Sequence, residues 1–239
     1  MKDLTVFNKG LEQLGLQLTD HQKEQFLQYY DLLIEWNSFM NLTGITEFQD
    51  VIVKHFLDSL SLVKAVQIQD GQKLIDVGTG AGFPGIPLKI AYPELQVTLL
   101  DSLKKRLNFL DEVIARLGLT GIETVHGRAE DAGRNPAYRE MYQLCVSRAV
   151  ANLSSLSEYC LPFVEKGGTF ISYKSGHVEE EMKQAKKAIH LLGGEAPEVI
   201  YFTLADTDNE RSLVTIRKIS NTAKKYPRKA GLPVKEPLS

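Results

Sequence analysis

The run Leu74-Ile75-Asp76-Val77-Gly78-Thr79-Gly80-Ala81-Gly82-Phe83-Pro84-Gly85 begins as a buried strand and ends in a glycine cluster. Glycine permits positive φ and lets a ligand approach the backbone closely. In an open α/β sheet the ligand crevice lies beyond the carboxyl ends of the strands, beside such a turn. Gly80-x-Gly82-x-x-Gly85 alone also fits a dinucleotide fingerprint. Asp76 discriminates: a carboxylate two residues before the first glycine has no use beside a pyrophosphate. It suits a cationic ligand with an amino group and a sulfonium, such as S-adenosylmethionine. Pro84 and Pro87 also leave fewer N–H groups for a pyrophosphate. Further on, Asp101 ends Leu99-Leu100-Asp101-Ser102. An acid at a strand tip about twenty residues past the glycine turn can accept both ribose hydroxyls of an adenosine. Its alternative is to cap the next helix, a role Ser102 could fill instead. In Arg128-Ala129-Glu130-Asp131, Ala129 and Glu130 stand where backbone or carboxylate would meet an adenine edge, or where acids open a helix.

Other chemistries fit less well. His55, Asp58 and Ser59 have the composition of a triad, but helical spacing sets them along one turn. His55 and Asp58 share a face, which assigns them to fixing that helix against the loop at Asn41. The five histidines and two cysteines show no metal-ligand spacing. Cys145 lies within a strand and reads as a buried thiol rather than a nucleophile. Trp36, Tyr29 and Tyr30 recur at helical spacing, which favours core packing over base stacking.

The elements that position these residues follow from periodicity. Residues 1–66 read as a helical extension. Thr19-x-x-Gln22 is a capping box followed by Phe26, Tyr29, Tyr30, Leu33 and Asn37 at helical spacing, and a second helix runs from about Glu47 to Lys64. Residues 67–220 alternate strands (Leu74–Val77, Val97–Leu100, Ile122–His126, Leu144–Ser147, Thr169–Tyr173) with helices (Leu103–Leu117, Asn152–Glu165, Val178–Leu191). That alternation predicts a doubly wound, mostly parallel sheet with right-handed crossovers. Val199–Leu204 and Ser212–Ile219 lack an intervening helix and predict an antiparallel hairpin at its edge, giving seven strands. Residues 221–239, with Pro227, Pro233 and Pro237, read as an irregular, extended tail.

The chain has 239 residues, 43% of them hydrophobic and 24% charged, enough for a buried core and unlike a disordered chain. Two cysteines cannot build a disulfide scaffold and fit a reduced compartment. Met1-Lys2-Asp3 leads into polar sequence, and no apolar run approaches the ~18 residues of a membrane helix. A soluble, cytoplasmic protein is expected. The net charge of −2 hides a gradient: residues 1–70 carry ten acids and five bases, residues 211–239 eight bases and one acid. End-loaded positive charge of this kind points to phosphate.

With Asn41-Leu42-Thr43-Gly44-Ile45, His55-Phe56-Leu57-Asp58-Ser59-Leu60, the glycine run through Leu88, Leu100-Asp101-Ser102 through Lys105-Arg106, Ser147-Arg148-Ala149-Val150 and Tyr226-Pro227-Arg228-Lys229-Ala230-Gly231-Leu232-Pro233, the chain resembles the bacterial small-subunit ribosomal RNA guanine-N7 methyltransferases, also called the glucose-inhibited division protein B family. The matches run through nearly the whole chain in order. Tyr173-Lys174-Ser175-Gly176 departs from the pattern, a serine interrupting the expected Lys-Gly pair. The resemblance implies a Rossmann-like class I methyltransferase fold and methyl transfer from S-adenosylmethionine to N7 of a guanine in the 530 loop of 16S ribosomal RNA. It implies a cofactor site involving Gly78, Phe83, Asp101, Ala129, Glu130 and Arg148, to which the reading of the glycine turn adds Asp76, Gly80 and Gly82; no metal is expected. Guanine N7 has an in-plane lone pair and no proton to lose, so transfer needs alignment rather than a general base. Arg148 suits such a site, on the guanine O6/N7 edge or a neighbouring phosphate, on the cofactor carboxylate, or in a surface salt bridge. The expected partner is 16S ribosomal RNA or the small ribosomal subunit, met by Lys104, Lys105 and Arg106 near the crevice and by Lys224, Lys225, Arg228 and Lys229 in the tail. A nucleotide-dependent oxidoreductase and a non-catalytic RNA-binding protein are the competing readings.

Overall fold

The computed structural model describes residues 2–148, 151–205 and 207–238, so Ala149 and Val150 of the Ser-Arg-Ala-Val motif lie outside the described residues. Helix α1 (Thr5–Gln13) and helix α2 (Asp20–Met40) come first. The capping box forms as expected: Thr19 accepts from the Gln22 N–H and Gln22 returns a bond to the Thr19 N–H. The second helical segment is composite: α3 (Phe48–Val51), a π-helical stretch (Ile52–Leu57), α4 (Asp58–Leu60) and a 3-10 turn (Ser61–Lys64). Wide π turns are energetically poor and recur at functional sites; this one carries His55.

Strands β1 (Lys73–Val77), β2 (Gln96–Asp101), β3 (Ile122–His126), β4 (Tyr142–Arg148) and β5 (Val164–Ser175) are joined by α5 (Gly85–Ala91), α6 (Lys104–Arg116), α7 (Ala129–Ala132) and α8 (Leu153–Cys160). Helix α9 (Glu179–Leu191), β6 (Glu198–Thr203), β7 (Glu210–Arg217) and a last turn, α10 (Leu232–Lys235), follow. The sheet order is β3-β2-β1-β4-β5-β7-β6, parallel through β5 and antiparallel across β7. The expected Asn152–Glu165 helix stops earlier: α8 ends at Cys160 and a short 3-10 turn holds Pro162, which cannot continue a helical hydrogen-bond ladder.

Alternation along each strand sorts two cores. Leu74, Leu99, Leu144 and Val146 face Phe7, Phe26, Tyr29 and Phe56, so the N-terminal helices share one continuous core with the sheet. Ile75, Leu100, Cys145 and Phe170 face Leu156, Phe163 and Ile189 on the other side. The same period of two places Asp76, Asp101 and Arg148 on the first face, at the carboxyl ends of three adjacent strands.

The tail corrects its reading. It is no extended arm but a strap folded onto α7 and α8. Ser154 and Ser155 donate to the Leu238 and Pro233 carbonyls, Gly231 N–H donates to Glu130 (2.8 Å), and Arg139 binds the Thr222 and Tyr226 carbonyls.

Candidate cofactor crevice

An open crevice of about 460 Å³ lies over the carboxyl end of β1, lined by Leu42, Thr43, His55, Gly78, Gly80, Phe83, Asp101, Arg106 and Arg148 among others. A lobe of about 170 Å³, which shares Gly78, Asp101 and Ser102, continues to Gly127, Arg128, Ala129, Glu130 and Tyr159. A hollow of similar size at the amino ends of β1 and β2, lined by Lys73, Gln96 and Glu123, lies away from the glycine turn.

Within the turn, Gly78 and Gly80 have φ of 73° and 62°, the region where a side chain is strained, and both expose backbone to the crevice. Gly82 does something else. A Cβ there would stand 2.7 Å from the Tyr29 hydroxyl and 2.9 Å from Leu110, so its missing side chain seats the turn against α2 and α6. The Tyr29 hydroxyl donates to the Ala81 carbonyl across that seam.

Asp76 is fully buried beneath the turn and does not line the crevice. Its Oδ2 accepts from Thr79 Oγ1 (2.7 Å) and the Gly85 N–H (2.9 Å), and Oδ1 has no partner among the described residues. The expectation that Asp76 meets a cationic ligand directly is therefore corrected: it braces the loop that forms the wall. Burial pushes its carboxyl up to about 6, against the pull of those two hydrogen bonds.

Asp101, 3% exposed, accepts from the Gly80 N–H (2.9 Å) through Oδ2 and the Leu103 N–H (2.8 Å) through Oδ1, with Arg106 at 3.4 Å. It thus ties the glycine turn to the entry of α6 while facing the crevice. Ser102 provides no cap; the cap position is Leu103, without a side-chain bond. Ala129 lines the smaller lobe, whereas the Glu130 carboxylate is committed to the strap. The bond to the strap takes one oxygen, Oε1, and Glu130 still lines the lobe.

Arg148 is the centre of a cluster that spacing could not reveal. Its Nη1 donates to Asp58 Oδ2 (2.9 Å) and the Lys54 carbonyl (3.2 Å), and its guanidinium lies 5.0 Å from the Phe83 ring centroid. Its side chain is 12% exposed, so this is a buried ion pair and not a surface salt bridge. Asp58 also accepts from Arg211 Nε (2.7 Å) and Nη2 (2.9 Å). Arg148 Nη2 stands 3.2 Å from His55 Nδ1. A guanidinium only donates, so Nδ1 accepts and the Nε2–H donates to Thr43 Oγ1 (2.8 Å). His55 therefore does fix the loop after Asn41, as expected, while Asp58 serves the arginines instead. The His55 ring stacks on Phe83 at 4.5 Å. Asp58 was visible in the sequence only as a helical neighbour of His55 and within the motif that carries the resemblance, and Arg211 only as one of the eight bases of residues 211–239.

Burial, then the nearby Arg148 charge, lowers His55 to about 4. A base whose folded pKa lies below its unfolded value gives stability that is present above pH ~6.5 and lost as pH falls toward 4. Asp76, raised to about 6, works the other way and loses stability as pH rises through that region. His55→Gln is therefore expected to lose less stability than the wild type between pH 6.5 and 4.5, read by urea unfolding; parallel pH profiles would refute the assignment.

The basic residues separate into two kinds. Lys104, Lys105, Lys224, Lys225 and Lys229 are exposed and Arg106 is half-exposed. Arg228 is a correction: its Nε and Nη2 donate to both oxygens of buried Glu158, at 2.7–3.1 Å, so it is a strap fastening and not a free phosphate ligand. Lys218, also counted in the positive end, is fully buried on the Leu161 carbonyl (2.7 Å), and burial lowers it to about 8. Lys174 is likewise committed, to Glu181 (2.6 Å) and the Ala151 carbonyl. Cys145 is buried and its thiol is pushed well up by that burial, as the inert reading requires. Among the described residues no group of three or more His, Cys, Asp or Glu could hold a metal, and no helix is long and apolar enough to cross a membrane.

A profile of the rRNA small subunit methyltransferase G family matches residues 22–221. The chain is 59% identical to the Ribosomal RNA small subunit methyltransferase G of Lachnoclostridium phytofermentans, covering 100% of this chain and 98% of the relative. The chain belongs to the rRNA small subunit methyltransferase G family. The relative of the same name from Clostridium novyi is 49% identical over 98% of this chain and 96% of its own. Among solved structures, a SAM-dependent O-methyltransferase of Thermotoga maritima superposes with a TM-score of 0.53 at 15% identity, covering 80% of this chain and 72% of that one. At that identity the likeness speaks for the fold. The G-family chain has the class I S-adenosylmethionine-dependent methyltransferase architecture, with its N-terminal helices packed on one face of the sheet.

Proposed function

We propose that the protein transfers a methyl group from S-adenosylmethionine to N7 of a guanine in 16S ribosomal RNA. The observation that carries this reading is the buried Arg148, held by Asp58 and His55 at the floor of a crevice whose other wall is the glycine turn. Membership of a family of small-subunit rRNA methyltransferases supports the substrate. It disfavours both the oxidoreductase and the non-catalytic RNA-binding readings.

The residues present fit the cofactor. Gly78 and Gly80 offer close backbone approach, Asp101 supplies acceptors at the strand tip, and the Ala129–Glu130 backbone borders a lobe adjoining the main crevice. When bound, S-adenosylmethionine supplies an electrophilic methyl group on a sulfonium. Asp101 is the ribose acceptor in this reading, sharing its carboxylate with the Gly80 N–H. Arg148 spends three of its N–H groups on Asp58, Lys54 and His55, which leaves two for a ligand acceptor, either guanine O6 or the cofactor carboxylate. Its role is positioning. Neutral His55 takes no part in proton transfer, and attack by an N7 lone pair requires none.

Asp101→Ala is expected to weaken S-adenosylmethionine binding by roughly 1–3 kcal/mol, the loss of a buried acceptor and of the bond that sets the Gly80 turn. An unchanged calorimetric titration would refute the ribose assignment. The function itself is tested by incubating the protein with tritiated S-adenosylmethionine and small-subunit RNA from cells lacking it. The label should map to N7 of one guanine. Label on another atom, or none, would refute the reading.

A further inference from the structure

Helices α2 and α6 run antiparallel: Gln25 near the start of α2 donates to the Leu117 carbonyl at the end of α6 (2.8 Å), and Trp36 lies 5.6 Å from Phe109 nearer its start. Continuing in those directions brings the end of α2 beside the first turn of α6, which carries Lys104, Lys105 and Arg106. Phe39 stands there. Its ring is 5.5 Å from that of Trp36 and 66% exposed, the most exposed large apolar side chain among the described residues. Three residues later Leu42 lines the crevice, as Arg106 does from the opposite helix. Scattered apolar side chains at a surface need no explanation. An exposed phenylalanine backed by a tryptophan, at the helix end that runs toward three cations and three residues before the crevice lining, does.

We propose that Phe39, supported by Trp36, is a stacking platform for an unpaired base next to the target guanine, with Lys104, Lys105 and Arg106 on the flanking phosphates. This rests on the reading of the substrate as RNA. Every base presents a π-face, so an aromatic platform beside a basic strip binds single strands, and stacked bases splayed from loops are how proteins read RNA. Of the acids of α2, Glu35 lies one helical turn and Asp31 two turns before Phe39, whereas the first turn of α6 carries three cations and no acid. A nearly solvent-exposed ring adds little to folding, which frees it for a ligand.

The test compares Phe39→Ala and Phe39→Tyr with the wild type. Phe39→Ala is expected to lower kcat/KM for RNA methylation by roughly 5–100-fold, as for other removed base stacks, while Phe39→Tyr keeps most of the rate. Melting temperature and S-adenosylmethionine affinity should be unchanged in both. Trp36 is the only tryptophan of the chain and gives a readout independent of methylation. A short single-stranded RNA should quench its fluorescence in the wild type, and bind Phe39→Ala more weakly. Wild-type kcat/KM and RNA affinity in Phe39→Ala would overturn the proposal, and so would an equal loss in Phe39→Tyr. Conversion of a dimer to a monomer by Phe39→Ala would overturn it too, by assigning the surface to a second copy. A wild-type protein that binds RNA with quenching but places no methyl group on it would refute the function above and leave the platform standing; absence of quenching would refute the platform.

Discussion

Replacing Asp58 by alanine is expected to lower folding stability by about 3–5 kcal/mol and to abolish most RNA methylation. The carboxylate is 2% exposed and accepts one bond from Arg148 and two from Arg211, whose side chains are 12% and 18% exposed. Removing it strands two guanidinium charges in a poorly solvated site, and an unpaired buried charge is far more damaging than a missing pair. The arginines then have to turn outward, and Arg148 leaves Phe83 and His55. Asp58→Asn keeps the volume and loses the charge, so it should fall between the two. In the Asp58→Ala background, Arg211→Met should recover stability by removing one of the stranded cations, without restoring methylation. Urea unfolding of the four proteins measures this. A single-variant loss below about 0.5 kcal/mol, the range of ordinary surface substitutions, would show that the cluster is solvated and does not hold Arg148.

Arg228→Ala should be the second large effect, about 3 kcal/mol of stability. Glu158 is 1% exposed and three of its four side-chain contacts with Arg228 come from the guanidinium, the fourth from the Arg228 N–H (2.7 Å). Arginine presents a planar fork to the carboxylate, so Arg228→Lys should recover only part of the loss. The strap also bonds Glu130 through Gly231, so its release should loosen the smaller lobe of the crevice and weaken S-adenosylmethionine binding. Neutralising exposed Lys224, Lys225 and Lys229 instead should leave stability within about 0.5 kcal/mol. If those lysines meet RNA, the log–log salt dependence of RNA affinity should flatten by roughly 0.7–0.9 per lost contact. Unfolding and salt titrations on the two sets of variants separate fastening from phosphate contact. An Arg228→Ala protein as stable as the wild type would remove the fastening role.

Local order was legible along the chain. Strand spacing, the Thr19–Gln22 capping box, the glycine turn and the crossover pattern are set by backbone conformation and by the alternation of apolar residues over a few positions, and these are written in consecutive residues. The shared sheet face of Asp76, Asp101 and Arg148 emerged only from the strand pairing and order. What those charges do was decided by tertiary structure. Asp58 finds Arg211 across 153 residues of chain and Arg148 across 90, Glu158 finds Arg228 across 70, and Glu130 finds Gly231 across 101. From spacing alone, Arg228 and Lys218 are two more cations in a positive tail, and Asp76 is a carboxylate near a cation site. Burial reverses each reading. A charge taken out of water must be matched by whichever partner the folded chain brings within hydrogen-bond reach. That partner is fixed by packing between distant elements, which no local run of residues encodes.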